Sequence, residues 1–265
     1  MGSASRQALA TSREALSALA ASCDVGTAAT LFSVGRAIAS SSQLSAALAD
    51  ASVQPTTKSE LLGKVFGAAL SGAAATLTST IVGQRWSTPN DLLGGFEDIA
   101  LRSAAIAAGP AASLEAEIFA FSRAVSTDAE LELTLGSKLG DPAAKARLAS
   151  TLLTGKAHPA TIEIISSLVA QPRGRRIGAL MAHAAAVVAD EAGASVATVE
   201  SARALTAEQL SSVAKSLTKT YGREILINAN VDELLIGGIR IQVGDDVMDG
   251  SISSRLNELR RELVG

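Results

Sequence analysis

The chain has 265 residues, more than the roughly 100–150 typical of one domain, so two or three compact units are expected. Hydrophobic residues make up 48% of it but aromatics only 3%, with alanine dominant, which favours helices packed through small side chains and argues against an aromatic-rich all-β core. The net charge of −3 comes from 23 basic and 26 acidic residues well mixed along the chain, leaving no basic stripe for a phosphate backbone and excluding nucleic acid as a partner.

Met1 to Arg13 lacks the apolar core of a secretion signal, and cytoplasmic synthesis and retention are expected. The most apolar helix-like stretch, Ile177 to Ala189, is interrupted by His183 and falls short of the ~20 residues that span a bilayer. Cys23 is alone, so neither an intramolecular disulfide nor a thiolate cluster can form.

From Ser5 to Ala108 the spacing predicts helices, with Leu9, Leu16 and Leu19, then Leu31, Val34 and Ile38, then Leu61, Leu62, Val65 and Phe66 on apolar faces. Thr57 with Glu60 fits a capping box, Thr88 precedes the first-turn Pro89, and Gly109 with Pro110 closes the segment. The fold class expected is mainly α: a six-helix-type bundle over 1–109, a second bundle over 110–194 that duplicates 32–107, and a small α/β domain over 195–265.

The duplication rests on one ungapped register. An offset of 87 residues carries Phe32 onto Phe119, Arg36 onto Arg123, Leu48 onto Leu135, Pro55 onto Pro142, Lys58 onto Lys145, Val82 onto Val169 and Gln84 onto Gln171.

Past Gly193, Ser195 to Ser201 alternates like a strand, and Thr206 with Gln209 caps a helix bearing Leu210, Val213, Leu217 and Tyr221. Ile225 and Ile227, then Ile239, Ile241 and Val243, give two more strands on either side of Gly237 and Gly238. Ser251 opens a last helix with Ile252, Leu256, Leu259 and Leu263 inward, and Asp245, Asp246 and Asp249 read as a solvated acidic turn.

The run from Ile225 through Val231, Asp232, Leu235, Ile236, Gly237, Gly238, Ile239, Ile241 and Gln242 to Gly244 resembles the signature segment of ATP synthase δ subunits and of the oligomycin-sensitivity-conferring protein. Asp245 to Ser251, Arg255, Leu256 and Leu259 are similar to that family's closing turn and terminal helix. Residues 5–108 resemble its N-terminal helical domain, and residues 111–194 are then extra, as in the enlarged δ of some high-GC Gram-positive bacteria.

The resemblance implies a non-catalytic subunit of the peripheral stalk, present once per complex, peripheral at the cytoplasmic face of the cell membrane and touching that membrane only indirectly. It implies that the N-terminal bundle receives the N-terminal helix of an α subunit in a groove between its first and fifth helices. Leu9, Leu16, Leu19, Leu77, Ile81 and Val82 are the candidates there, each of which could equally be bundle core. The C-terminal unit is implied to meet the b-type stalk, with Leu235, Ile236, Gly237, Gly238, Ile239, Leu256 and Leu259 as contact or support residues.

The blander chemistry holds elsewhere. Gly237, Gly238 and Gly244 match neither common phosphate-loop spacing, and no lysine stands beside them. His158 and His183 have no partner at metal-ligand spacing, the basic run Arg173 to Arg176 reads as a solvated interhelix loop, and no cofactor or catalytic set is expected. The alternatives are a generic helical-repeat adaptor, or a small ligand-dependent enzyme built on the C-terminal unit. Calorimetric titration with ATP is expected to give no saturable signal; one abolished by altering Gly237 and Gly238 would reverse this.

Overall fold

A computed structural model describes residues 1–137, 140–232 and 234–252. Its contacts divide the chain into two compact units, Met1–Val188 and Ala189–Gly265, where the sequence reading expects three.

The first unit is helical: α1 (Ser3–Leu19), α2 (Val25–Ser40), α3 (Ser42–Ala49), α4 (Pro55–Phe66), α5 (Gly72–Gly83), α6 (Pro89–Ala108), α7 (Leu114–Thr127), α8 (Ala129–Gly136), α9 (Pro142–Leu153), α10 (Pro159–Ala170) and α11 (Ile177–Glu191), whose last residues enter the second unit. Local chemistry sets most starts. The Asp24 carboxylate accepts from the Thr27 N–H at 2.7 Å while the Asp24 N–H donates to the Thr27 hydroxyl, a reciprocal cap on α2. Pro55, Pro89, Pro142 and Pro159 each stand in a first helical turn, where the missing N–H costs nothing. Pro55 already opens α4, so Thr57 and Glu60 lie inside that helix and the expected capping box does not form.

The same offset of 87 residues carries the bounds of α3, α4 and α5 onto those of α8, α9 and α10 residue for residue. Packing repeats as well: α2 lies on α3 and α5 as α7 lies on α8 and α10, and α4 lies on α5 as α9 lies on α10. Even the buried lysines recur. Lys145 Nζ donates to the Ser137 carbonyl eight residues back, and burial pulls the Lys58 pKa below its ordinary value while the Asp50 carboxylate, also eight residues back, opposes the shift.

The two repeats do not separate, because one helix belongs to both. The offset places α1 on α6, and α1 packs on α5 as α6 packs on α10. The residues that α1 buries, Ser5, Ala8, Ser12 and Leu16, correspond to Leu92, Gly95, Ile99 and Ser103 of α6, all buried too. But α6 also closes the first repeat against α1 and α2. Gly95 to Ala104 are therefore buried without interruption, nearly three turns with no solvent-facing side.

Two acids sit in that buried stretch. Asp98 accepts both arms of Arg13 from α1, at 2.9 and 2.7 Å, and Arg102 Nε at 2.9 Å. Glu97 accepts both arms of Arg175 at 2.7 and 2.6 Å, with Arg173 Nη1 at 3.5 Å and His183 Nε2 at 3.6 Å. Arg173 adopts φ +52, a left-handed conformation unfavourable for a side-chain-bearing residue, and its other arm donates to the Asn90 carbonyl at 2.8 Å. Burial pulls the His183 pKa below its ordinary value; the Glu97 carboxylate opposes this and Arg175 adds to it.

In the second unit the sheet order is β2-β1-β3-β4, from β1 (Ser195–Ser201), β2 (Ile225–Val231), β3 (Ile239–Val243) and β4 (Asp246–Asp249). β1 and β2 are parallel, linked through α12 (Ala207–Tyr221); β3 pairs antiparallel with β1 and β4. Register puts Ala197, Val199, Ile225, Ile241 and Val243 on one face, where Leu217 of α12 completes a small core. The opposite face mixes Val196, Leu226 and Val247 with polar residues, and Arg240 spans it to Glu200 at 3.5 Å and Asp249 at 3.6 Å. The acidic segment expected as a turn is mostly the edge strand β4, reached by a two-residue turn in which Gly244 takes φ +59.

Two outcomes test the shared helix. A Cβ on Gly95 would stand 2.2 Å from the Trp86 ring, whose Nε1 donates to the Ile81 carbonyl. Gly95→Ala should lose about 1–3 kcal/mol in urea unfolding and red-shift the emission of this single tryptophan. Glu97→Ala strands Arg175, whose side chain is partly exposed, and should cost about 2–3 kcal/mol by the same measurement. An unchanged midpoint would remove either residue from the role given it.

Candidate docking surfaces

Of the candidates for a helix-accepting groove, Leu16, Leu77, Ile81 and Val82 are fully buried in the chain's own interior, in keeping with the bundle-core alternative that the sequence leaves open for each. Their apolar spacing serves the packing of α1 and α5 within the bundle. Leu9 and Leu19 are half-buried, with Arg6 and Ala10 exposed beside Leu9.

The basic run is likewise not a solvated loop: Arg173 and Arg175 face the buried Glu97, a partner 76 and 78 residues away that no local pattern could indicate. His158 caps α10, its Nδ1 accepting from the Ala160 N–H at 3.2 Å. Among the described residues no three His, Cys, Asp or Glu side chains converge as a metal site.

In the second unit the signature segment divides by exposure. Leu235 and Ile239 are half-buried, while Ile236 is 74% exposed and Leu234, which the sequence reading passed over, is 90% exposed. Val231, Val247, Met248 and Ile252 add further exposed apolar surface, and Val247 and Met248 lie on the strand β4 that was read as a turn. Leu256 and Leu259 lie outside the described residues.

Gly237 and Gly238 take φ +138 and +82. The Ile252 N–H donates to the Gly237 carbonyl at 3.1 Å and the Gly250 N–H to the Ile239 carbonyl at 3.0 Å, so the segment after β4 closes directly over the pair. A Cβ on Gly238 would stand 2.4 Å from the Gly250 carbonyl oxygen. Asp249 fixes the closure by accepting from the Ser251 N–H at 2.9 Å, a bond that, with Arg240 beyond it, holds its pKa below the ordinary carboxylate value.

The family model described as "ATP synthase delta (OSCP) subunit" matches residues 99–263, from within α6 into the second unit. The span expected to be extra, 111–194, is therefore part of the matched region, and residues 1–98 stand outside it. The chain is 45% identical to ATP synthase subunit delta of Leifsonia xyli and 36% identical to that of Streptomyces griseus, in both cases over 100% of each chain. A chain of the Toxoplasma gondii mitochondrial ATP synthase hexamer aligns with a TM-score of 0.42 at 19% identity, covering 64% of this chain and 96% of that one. On the matched span and the full-length relatives, the chain belongs to the ATP synthase delta (OSCP) subunit family.

Proposed function

We propose that the chain is the connector of the peripheral stalk: a non-catalytic ATP synthase subunit that ties the catalytic head to a membrane-anchored b-type stalk. Full-length relatives that carry the name of that subunit support the complex. Rotation driven by protons makes ATP only if the head is held still, so the subunit must resist torque through two contacts, one on each side.

The helical unit meets the N-terminus of an α subunit and the rest of the head. The second unit meets the stalk. One copy serves each complex, at the cytoplasmic face of the cell membrane, and reaches that membrane only through its partners.

The observation that carries the stalk-side contact is the exposed apolar rim of Leu234, Ile236 and Ile252 around the glycine closure. Large apolar side chains held together in water are a mark of a docking surface. Ile236→Asp should leave the fold intact, because the side chain is already in solvent, while a carboxylate forced into an apolar contact costs several kcal/mol. Membranes carrying this variant at normal levels should hydrolyse ATP and fail at proton-driven synthesis, since hydrolysis needs only head and rotor. Ordinary synthesis would refute the stalk-side assignment.

A further inference from the structure

The sheet of the second unit has two edges, and they are guarded unequally. β4 has four residues, two of them aspartates, which is the short, charged kind of edge that resists pairing. β2 has seven residues, Ile225 to Val231, and no charge.

The parallel ladder fixes which way the backbone of β2 points. The Ser195 N–H donates to the Glu224 carbonyl at 2.8 Å and the Asp232 N–H to the Ser201 carbonyl at 2.9 Å. β1 therefore engages Leu226, Asn228 and Asn230, and the N–H and C=O groups of Ile227 and Ala229 point off the sheet. Among the described residues none takes up those groups. Beside them, on the face opposite the core, the Asn228 side chain is nine-tenths buried and its Oδ1 accepts no hydrogen bond. The bare run is bracketed by acids, the exposed Glu224 and the half-buried Asp232, and it ends at Val231, 54% exposed, three positions before Leu234.

We infer that the free edge of β2 takes one extended segment of another chain as a fifth strand. The edge dictates the chemistry of that segment. It is uncharged along the seven residues of β2, because a charge there would face a neutral strand and its core. It places a hydrogen-bond donor beside Asn228, since cross-strand neighbours stand about 5 Å apart. It carries Lys or Arg at its ends, against Glu224 and Asp232. The owner of the segment rests on the proposal above: β2 runs into the apolar rim assigned to the stalk, so the segment belongs to the stalk polypeptide.

The test measures backbone hydrogen exchange in the full-length chain, residue by residue, without and with the soluble part of the b-type stalk subunit. The amides of Ile227 and Ala229 should exchange quickly in the free chain and at least about tenfold more slowly in the complex. Ala229→Pro removes an outward N–H that the fold does not use, and an edge strand tolerates proline there, so the variant should stay folded and bind at least about tenfold more weakly. Glu224→Lys, at an exposed position, should weaken binding several-fold at low salt and less at high salt. Binding that leaves exchange at Ile227 and Ala229 unchanged, or an affinity indifferent to Ala229→Pro, would overturn the inference and leave the stalk contact standing. Absence of binding would overturn the stalk contact and the inference together.

Discussion

Everything in the helical unit depends on α6 satisfying two bundles at once. A helix buried on one face can leave its polar residues in water; one buried for ten consecutive residues cannot, yet this stretch holds Glu97 and Asp98. Neighbours on a helix point about 100° apart, so the two carboxylates face different sides. Asp98 turns to Arg13 of the first repeat and Glu97 to Arg173 and Arg175 after α10 of the second. Burying two acids is costly, and two-armed guanidinium contacts with partly solvated arginines offset that cost. What the pairs add is register: they set how far α1 and the α10–α11 turn can slide along α6.

A shared helix also explains why the contacts give one unit where the sequence predicts two bundles. In tandem repeats each unit buries its open face against the next, and the boundary becomes an interface instead of a linker. Here the boundary is a whole helix, so cutting at residue 109 would strip the second repeat of its first helix. The family match beginning at residue 99, inside α6, follows the same logic, since α6 opens the repeat that continues into the second unit.

Much of this was legible in the sequence. The 87-residue offset found from Phe32 and Phe119 carries three pairs of helices onto one another without a residue of drift, and Ser195 to Ser201 is a strand over the whole predicted range. The sharing of α6 was not legible, because α1 and α6 play the same part with different burial: α1 hides one face and keeps serines and alanines, α6 hides all faces and carries Leu92, Phe96 and Ile99. The sequence does not separate groove from core for a related reason. Apolar periodicity shows that Leu77, Ile81 and Val82 face something, and it does not distinguish a neighbouring helix of the same bundle from a visiting one. β4 was missed because an edge strand exposed along its whole length needs no apolar alternation, so Asp246 and Asp249 could sit in it.

The signature segment of the second unit separates into residues that fold and residues that remain free to bind. Gly238 has no room for a side chain because the backbone of Gly250 and Ser251 crosses where a Cβ would be, and Gly237 takes φ +138, a backbone conformation that residues with a side chain rarely adopt. Those glycines are therefore required by the closure whether or not a partner is present. Ile241 and Val243 are required by the core. What the fold does not require is Leu234 and Ile236, two large apolar side chains in water on a loop whose far end is pinned by the Gly237–Ile252 hydrogen bond. Exposed apolar groups on a freely moving loop would lose binding energy to ordering; the same groups beside a pinned glycine pair lose less. In the stalk-side contact proposed for this unit, the closure acts indirectly, by limiting the motion of the residues beside it.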